Sequence, residues 1–408
     1  GAADLQGGTV TGDVDNSGTA TLLVSGSTTV TGNVNNTSTS ATAVTIDNGA
    51  TLTTTMLDND AGTAAINGTL TGNAENALGA TMNVASTGTV SGTIRNEGTF
   101  ASAGALQSGL NNRNTGAADL QGGTVTGDVN NRETATLVVS GDTTVTGNVD
   151  NLSTSGTAVT INNGATLTTL ALNNTAGTAA VNGTLMGEAT NSLGATMNVG
   201  GTGIISGIVR NKGTFTSAGA LQSDLNNRDT GAADLQGGSV AGDVNNSETA
   251  TLLVSGDTTV TGNVNNTSTS ASAVTVDSGV TLTTTLLDND AGTAAINGTV
   301  SGDADNASGA TMNIGSAGSV TGFVINAGML DLAGGAAIGG LLTNTGTTTS
   351  DGTTTLGSLD NTGGILTMVD GAGGDHVNVT GAVVGGGGQI NVDIDLGDNA
   401  GGTSGNAD

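Results

Sequence analysis

The chain has 408 residues, a formal net charge of −28, 71 glycines and no proline, cysteine, tryptophan or tyrosine. The lack of cysteine excludes disulfides and thiolate metal sites, and the acidic balance argues against nucleic acid and anionic membrane surfaces as partners. No apolar run is long enough for a transmembrane helix, and three phenylalanines are too few for the thick core of an ordinary globular domain of this length.

A composition rich in Gly, Ser, Thr and Asn is also that of disordered chains. Such chains lack regular Val, Leu and Ile placement, and here it is regular. The octapeptide GAADLQGG starts at Gly1, Gly116 and Gly231, giving a long period of 115 residues. The domains expected are therefore repeat units 1–115, 116–230 and 231–345, the third diverging after about residue 323, and a distinct β-rich segment 346–408. Gly1 falls on a repeat boundary with no leader visible, as in a processed chain or a fragment.

A short period runs inside the long one. GTVTGDVDN at 8–16 returns as TTVTGNVNN at 28–36, GTLTGNAEN at 68–76 and GTVSGTIRN at 88–96. Its marker is an apolar residue followed four positions later by another, usually with asparagine two beyond. The first apolar residue falls at Val10, Val30, Leu52, Leu70, Val90 and Leu106 in the first long unit. It falls at Val125, Val145, Leu167, Leu185, Ile205 and Leu221 in the second. These residues form the expected core column. The mean spacing is about 19 residues, a solenoid coil, so the chain holds about 20 coils.

Within a coil the pattern is strand-like. Val10 and Val14 face one way and Thr9, Thr11 and Asp13 the other. A second strand follows, as at 19–24 or 43–46. Asn-Asn, Asp-Asn and Asn-Gly pairs between them suit tight turns. Such strands cannot bury a face alone; stacked coil on coil they make an all-β parallel β-solenoid. At roughly 4.8 Å per coil the expected rod is on the order of 95 Å long. The glycine inside Val-Thr-Gly keeps the strand slim or lets it bend.

Asparagine recurs once per coil at Asn16, Asn36, Asn59, Asn76, Asn96 and Asn112, then at Asn131, Asn151, Asn191, Asn211 and Asn227. Stacked amides can bond along the axis as a ladder; the alternative is that asparagine suits the turn. The position after the central glycine runs Asp13, Asn33, Thr55, Asn73, Thr93, Gly109, Asp128. Acids seldom follow one another there, which avoids stacking like charges.

The Val-Thr-Gly-Asn-Val-Asn-Asn repeats on a Pro-free, Cys-free background resemble the β-helical passengers of bacterial autotransporters and haemagglutinin-like adhesins. GDHVNVTG at 374–381, leading to GGGGQINVDIDLG at 385–397, is similar to a segment late in such passengers. The resemblance implies a right-handed β-helix exported to the bacterial cell surface.

No catalytic set stands out. His376 is the lone histidine, and no cysteine can join it in a metal or nucleophile site. Arg95 with Arg210, and Arg113 with Arg228, are repeat-related, which suggests structure; Arg132 and Lys212 complete the cations. Gly385–Gly388 lacks a following Lys-Ser/Thr and reads as a turn, not a phosphate loop. The acidic pairs Asp13/Asp15, Asp58/Asp60, Asp288/Asp290 and Asp303/Asp305 are weak calcium candidates, without the nonapeptide or EF-hand calcium motifs. Thr-X-Thr pairs such as Thr9/Thr11, Thr29/Thr31, Thr51/Thr53 and Thr69/Thr71 resemble the flat face of ice-binding solenoids, broken at Ala105/Gln107 and Ala220/Gln222; threonine is also simply a good outward strand residue.

The reading that follows is a non-catalytic, extracellular structural solenoid, without a cofactor beyond weakly bound calcium. It would be a surface stalk or adhesin-type protein, or a subunit of a cell-surface or biofilm-matrix fibre. Its partner would be itself, stacked end to end, or neighbouring surface and matrix components, with no nucleic acid and no membrane insertion. An ice-binding solenoid and a calcium-dependent adhesin are the alternatives.

Overall fold

Residues 21–36 show how one coil is made. In Thr21–Val24 the side chains of Leu22 and Val24 are buried while their neighbours are not. In Thr28–Val30 the inward residues are Thr28 and Val30, and in Val34–Asn36 they are Val34 and Asn36. Each short stretch alternates with period two, and each pairs in parallel with the coil before it. Ala2 aligns with Thr21, Gly8 with Thr28 and Val14 with Val34. Backbone hydrogen bonds thus run from coil to coil, and the inward residues stack into a narrow apolar interior. The computed structural model describes residues 1–369 and 374–392. It is an all-β parallel solenoid of about 20 turns spaced about 19 residues apart.

Most coils have three strands where the sequence suggests two. Val10 and Val14 do not share a strand: Gly8–Val10 ends, residues 11–13 leave the ladder, and Val14–Asn16 begins again. The glycine makes the break. Gly12 sits at φ 95°, and a Cβ on Gly32 would collide with the carboxylate of Asp13 and the backbone of Gly12. Other coils carry the strand through the bend, as in Thr51–Asn59 and Thr69–Asn76, with a bulge between Thr71 and Asn73.

The core column is buried at every expected position except Val10, which is half-buried. Its alignment needs one correction. Val10 stacks on Val30, and Leu52 on Leu70, but Leu52 aligns with Thr28 and not with Val30. The same two-residue slip recurs where Leu167 meets Thr143 and Leu282 meets Thr258. At these places threonine takes an inward position. Thr28 Oγ1 donates to the Gly26 carbonyl at 3.2 Å, and Thr54 Oγ1 to the Gly32 carbonyl at 2.8 Å. The hydroxyls are satisfied, so burial is tolerated.

The chain forms two compact units. The first comprises 1–215 and 219–222; the second comprises 216–218 and the residues from 223 onward.

Candidate functional site

Asparagine closes the stretch of strand after the bend in most coils, with its side chain turned inward. In the first unit Asn16 Nδ2 donates to Asn36 Oδ1 at 2.8 Å, Asn36 to Asn59 at 2.7 Å and Asn59 to Asn76 at 2.8 Å. The series passes through Asn96, Asn112, Asn131 and Asn151 at 2.8–3.0 Å. It continues through Asn174 and Asn191 to Asn211. The second unit repeats it from Asn227 through Asn246, Asn266 and Asn289 to Asn361. Asn174 is absent from the column read off the sequence, although it lies one long repeat after Asn59. Every rung from Asn36 to Asn344 is no more than 1% exposed. Each amide also donates to a nearby carbonyl, as Asn131 does to Ala158 at 2.8 Å. None of these asparagines has positive φ, so turn geometry is not what selects them.

A second polar column sits at the bend. Asp13 Oδ1 accepts the Asn33 N–H at 2.8 Å, Asn73 Oδ1 that of Thr93 at 3.0 Å, and Asp128 Oδ1 that of Asn148 at 2.9 Å. In the second unit Asp243 and Asp303 do the same for Asn263 and Phe323. Where strand pairing lapses at the glycine, a short acid or amide replaces the missing carbonyl acceptor.

These bonds engage several calcium candidates. Asp13 and Asp303 hold backbone amides, and Asp15 Oδ1 accepts from Asn35 Nδ2 at 2.7 Å. Asp58, Asp60 and Glu75 lie close together, with Arg95 Nη1 3.1 Å from Glu75. Burial and the two neighbouring acids push the Asp58 carboxyl above the ordinary aspartate range, and Arg95 pulls it back. Two long repeats later Asp288 is pushed up by burial and by Asp290 and Asp305, and Asp305 by burial and Asp290, with no cation opposing. Among the described residues no group of three or more Asp, Glu, His or Cys converges in a way that could hold a metal ion.

The remaining candidates stay dispersed. His376 is exposed at the start of the strand His376–Val379, and its backbone N–H donates to Gly352. Gly385–Gly388 links two short strands as a turn, with Gly387 at φ 78°. Of the adhesin-like segment, residues 393–397 lie outside the described residues. Arg95 and Arg113 share Glu97, and Arg210 pairs with Glu188. The Thr-X-Thr pairs face outward, but the two-residue slip sets Thr29 beside Thr53 and leaves Thr51 out of that rank. Thr31 Oγ1 also accepts the Gly12 N–H at 2.9 Å.

No family model matches this chain, and no curated protein matches it. Among solved structures it is similar to a TibC-catalysed, hyper-glycosylated fragment of TibA, at 17% identity over 97% of each chain with a TM-score of 0.16. A score that low carries no argument about site or activity.

Proposed function

We propose that this chain is a non-catalytic structural β-solenoid of the bacterial cell surface or extracellular matrix, serving as an adhesin-type stalk or as a fibre subunit. The buried asparagine column is the observation that carries this reading. It buries a polar residue in nearly every coil and engages it in stacking, with nothing left over for a ligand. Reactive side chains are scarce and lie apart: the one histidine has neither cysteine nor a second histidine to work with. The resemblance of the Val-Thr-Gly-Asn repeats to autotransporter passengers supports an exported, surface location.

Fibre assembly extends the same reading. Each coil offers the next the same strand edges and the same amide, so a coil of another copy could continue the series. A net charge of −28 opposes joining, and salt or divalent cations relax it. Negative-stain electron microscopy of the purified chain, with calcium and with chelator, tests this. Long filaments with a regular axial repeat are expected when the charge is screened. Isolated particles under every condition would overturn assembly and leave the stalk.

A further inference from the structure

We infer that the outward face around Phe323, Ile325 and Leu341 in the second unit is a docking surface for a polypeptide segment that carries basic residues next to aliphatic ones. Phe323 and Ile325 flank the buried Val324, so both point outward; they are 44% and 39% exposed. Val324 pairs with Leu342, which sets Leu341 beside Phe323 at 41% exposure. The chain has three phenylalanines, and Phe100 and Phe215 are fully buried. Phe323 is therefore the exception, and it has apolar company on the outside.

The other flank of this patch is acidic. Ala304 pairs with Val324, so Asp303 lies beside Phe323 and Asp305 beside Ile325. Asp288 aligns with Asp305 one coil further on. The first unit shows what these acids lack. At the equivalent positions Asp58 and Glu75 stand next to Arg95, which bonds Glu75 at 3.1 Å. In the second unit Ile325 holds the place of Arg95, and Phe323 that of Thr93. The internal cation has been exchanged for apolar surface while the acids remain, and they repel one another with no cation opposing. A partner's arginine or lysine set over Asp288 and Asp305 would do what Arg95 does for Glu75. Its aliphatic side chains would cover Phe323, Ile325 and Leu341. Charge complementarity would guide the encounter, and the apolar anchor would hold it.

The test uses the full chain and a fluorescein-labelled peptide of two arginines followed by three leucines, each separated by glycine. A second peptide has serine for leucine. Anisotropy titrations at physiological salt should show the leucine peptide binding wild type at least tenfold more tightly than Phe323→Ser or Ile325→Arg. Ile325→Arg restores the residue that the first unit already accommodates, so it should fold, and circular dichroism checks this. Leu78→Ser, at another exposed apolar site, should leave binding unchanged. Equal affinity for all variants, or for both peptides, would mean diffuse attraction to an acidic surface and would overturn the inference. So would sedimentation showing that wild type dimerises without peptide and Ile325→Arg does not, because the occupant would then be a second copy. None of these readouts depends on filaments, so this inference and the fibre reading can fail separately.

Discussion

Asn131→Asp distinguishes a residue chosen for stacking from one chosen for a turn. Aspartate and asparagine are both good turn formers, and Asn131 ends the strand Val129–Asn131 without positive φ. Its Nδ2 donates to Asn151 Oδ1 at 3.0 Å, to Ala158 at 2.8 Å and to Ala135 at 3.1 Å, and its Oδ1 accepts from Asn112 at 2.8 Å. The aspartate keeps the bond from Asn112 and turns the other three into contacts between acceptors. It also places a charge at a fully buried position. Leaving a buried charge uncompensated costs about 3–5 kcal/mol. Asn131→Ala should cost less, about 2 kcal/mol. It introduces no charge, and Asn112 keeps its bonds to Gly116 and Thr136. Because each coil touches mainly its neighbours, the damage should be local. Hydrogen exchange read by mass spectrometry should show Leu110–Asn112 and Val149–Asn151 losing about 100-fold protection or more in Asn131→Asp, while Thr21–Val24 is unchanged. If Asn131→Asp is as protected as wild type, or less damaged than Asn131→Ala, the stacking account is wrong.

Three other outcomes follow from the packing. Phe100→Ala removes a fully buried ring stacked between Met82 and Ala118 and should cost about 3–5 kcal/mol by denaturant titration. Glu133 sits at φ 55° where the first long unit has Gly18 at φ 67°, so Glu133→Gly should stay within about 1 kcal/mol of wild type, whereas Glu133→Val should cost about 2 kcal/mol; thermal melts of the pair compare them. Asp288 and Asp305 hold their protons to higher pH in the folded chain than in the unfolded one. In that window the folded state binds more protons, so their contribution raises stability as pH falls through the folded pKa values, and their penalty is complete above them. Asp305→Asn should therefore raise the melting temperature at pH 7 and flatten its dependence as pH falls toward the ordinary aspartate range; an unchanged slope would count against the raised carboxyl.

The fold class was legible because the short phrase recurs with few exceptions. Val10, Val90 and Leu185 announce inward positions by hydrophobicity alone, and the asparagine two places after each second apolar residue marks the third strand. The third strand itself was harder to see. A run such as Thr28-Thr29-Val30-Thr31-Gly32-Asn33-Val34 keeps period two across the glycine, so alternation cannot show that the ladder lapses there. Only the bonds that the Asn33 and Asn148 N–H groups donate to Asp13 and Asp128 reveal that a side chain has taken over from the backbone. The docking face was hidden for a different reason. Phe323 and Ile325 read as drift of the third repeat until pairing sets them against Asp303 and Asp305.

The slip at Leu52 marks a limit of pattern reading in solenoids. A one-residue shift would turn every inward side chain outward, and the hydrophobic pattern forbids it. A two-residue shift preserves the faces, so the pattern is silent about it. Leu52 then meets Thr28 and not Val30, and the hydroxyl of Thr28, bonded to Gly26, makes threonine acceptable where an aliphatic residue is expected. The apolar marker thus moves two places while the stacking register stays continuous. Position along the coil is fixed instead by the asparagines: Asn16, Asn36 and Asn59 align rung on rung across the same slip. An amide needs its neighbour's carbonyl at bonding distance, whereas Val30 and Leu52 need only a common interior. The polar column therefore sets the register, and the apolar column fills the space that register leaves.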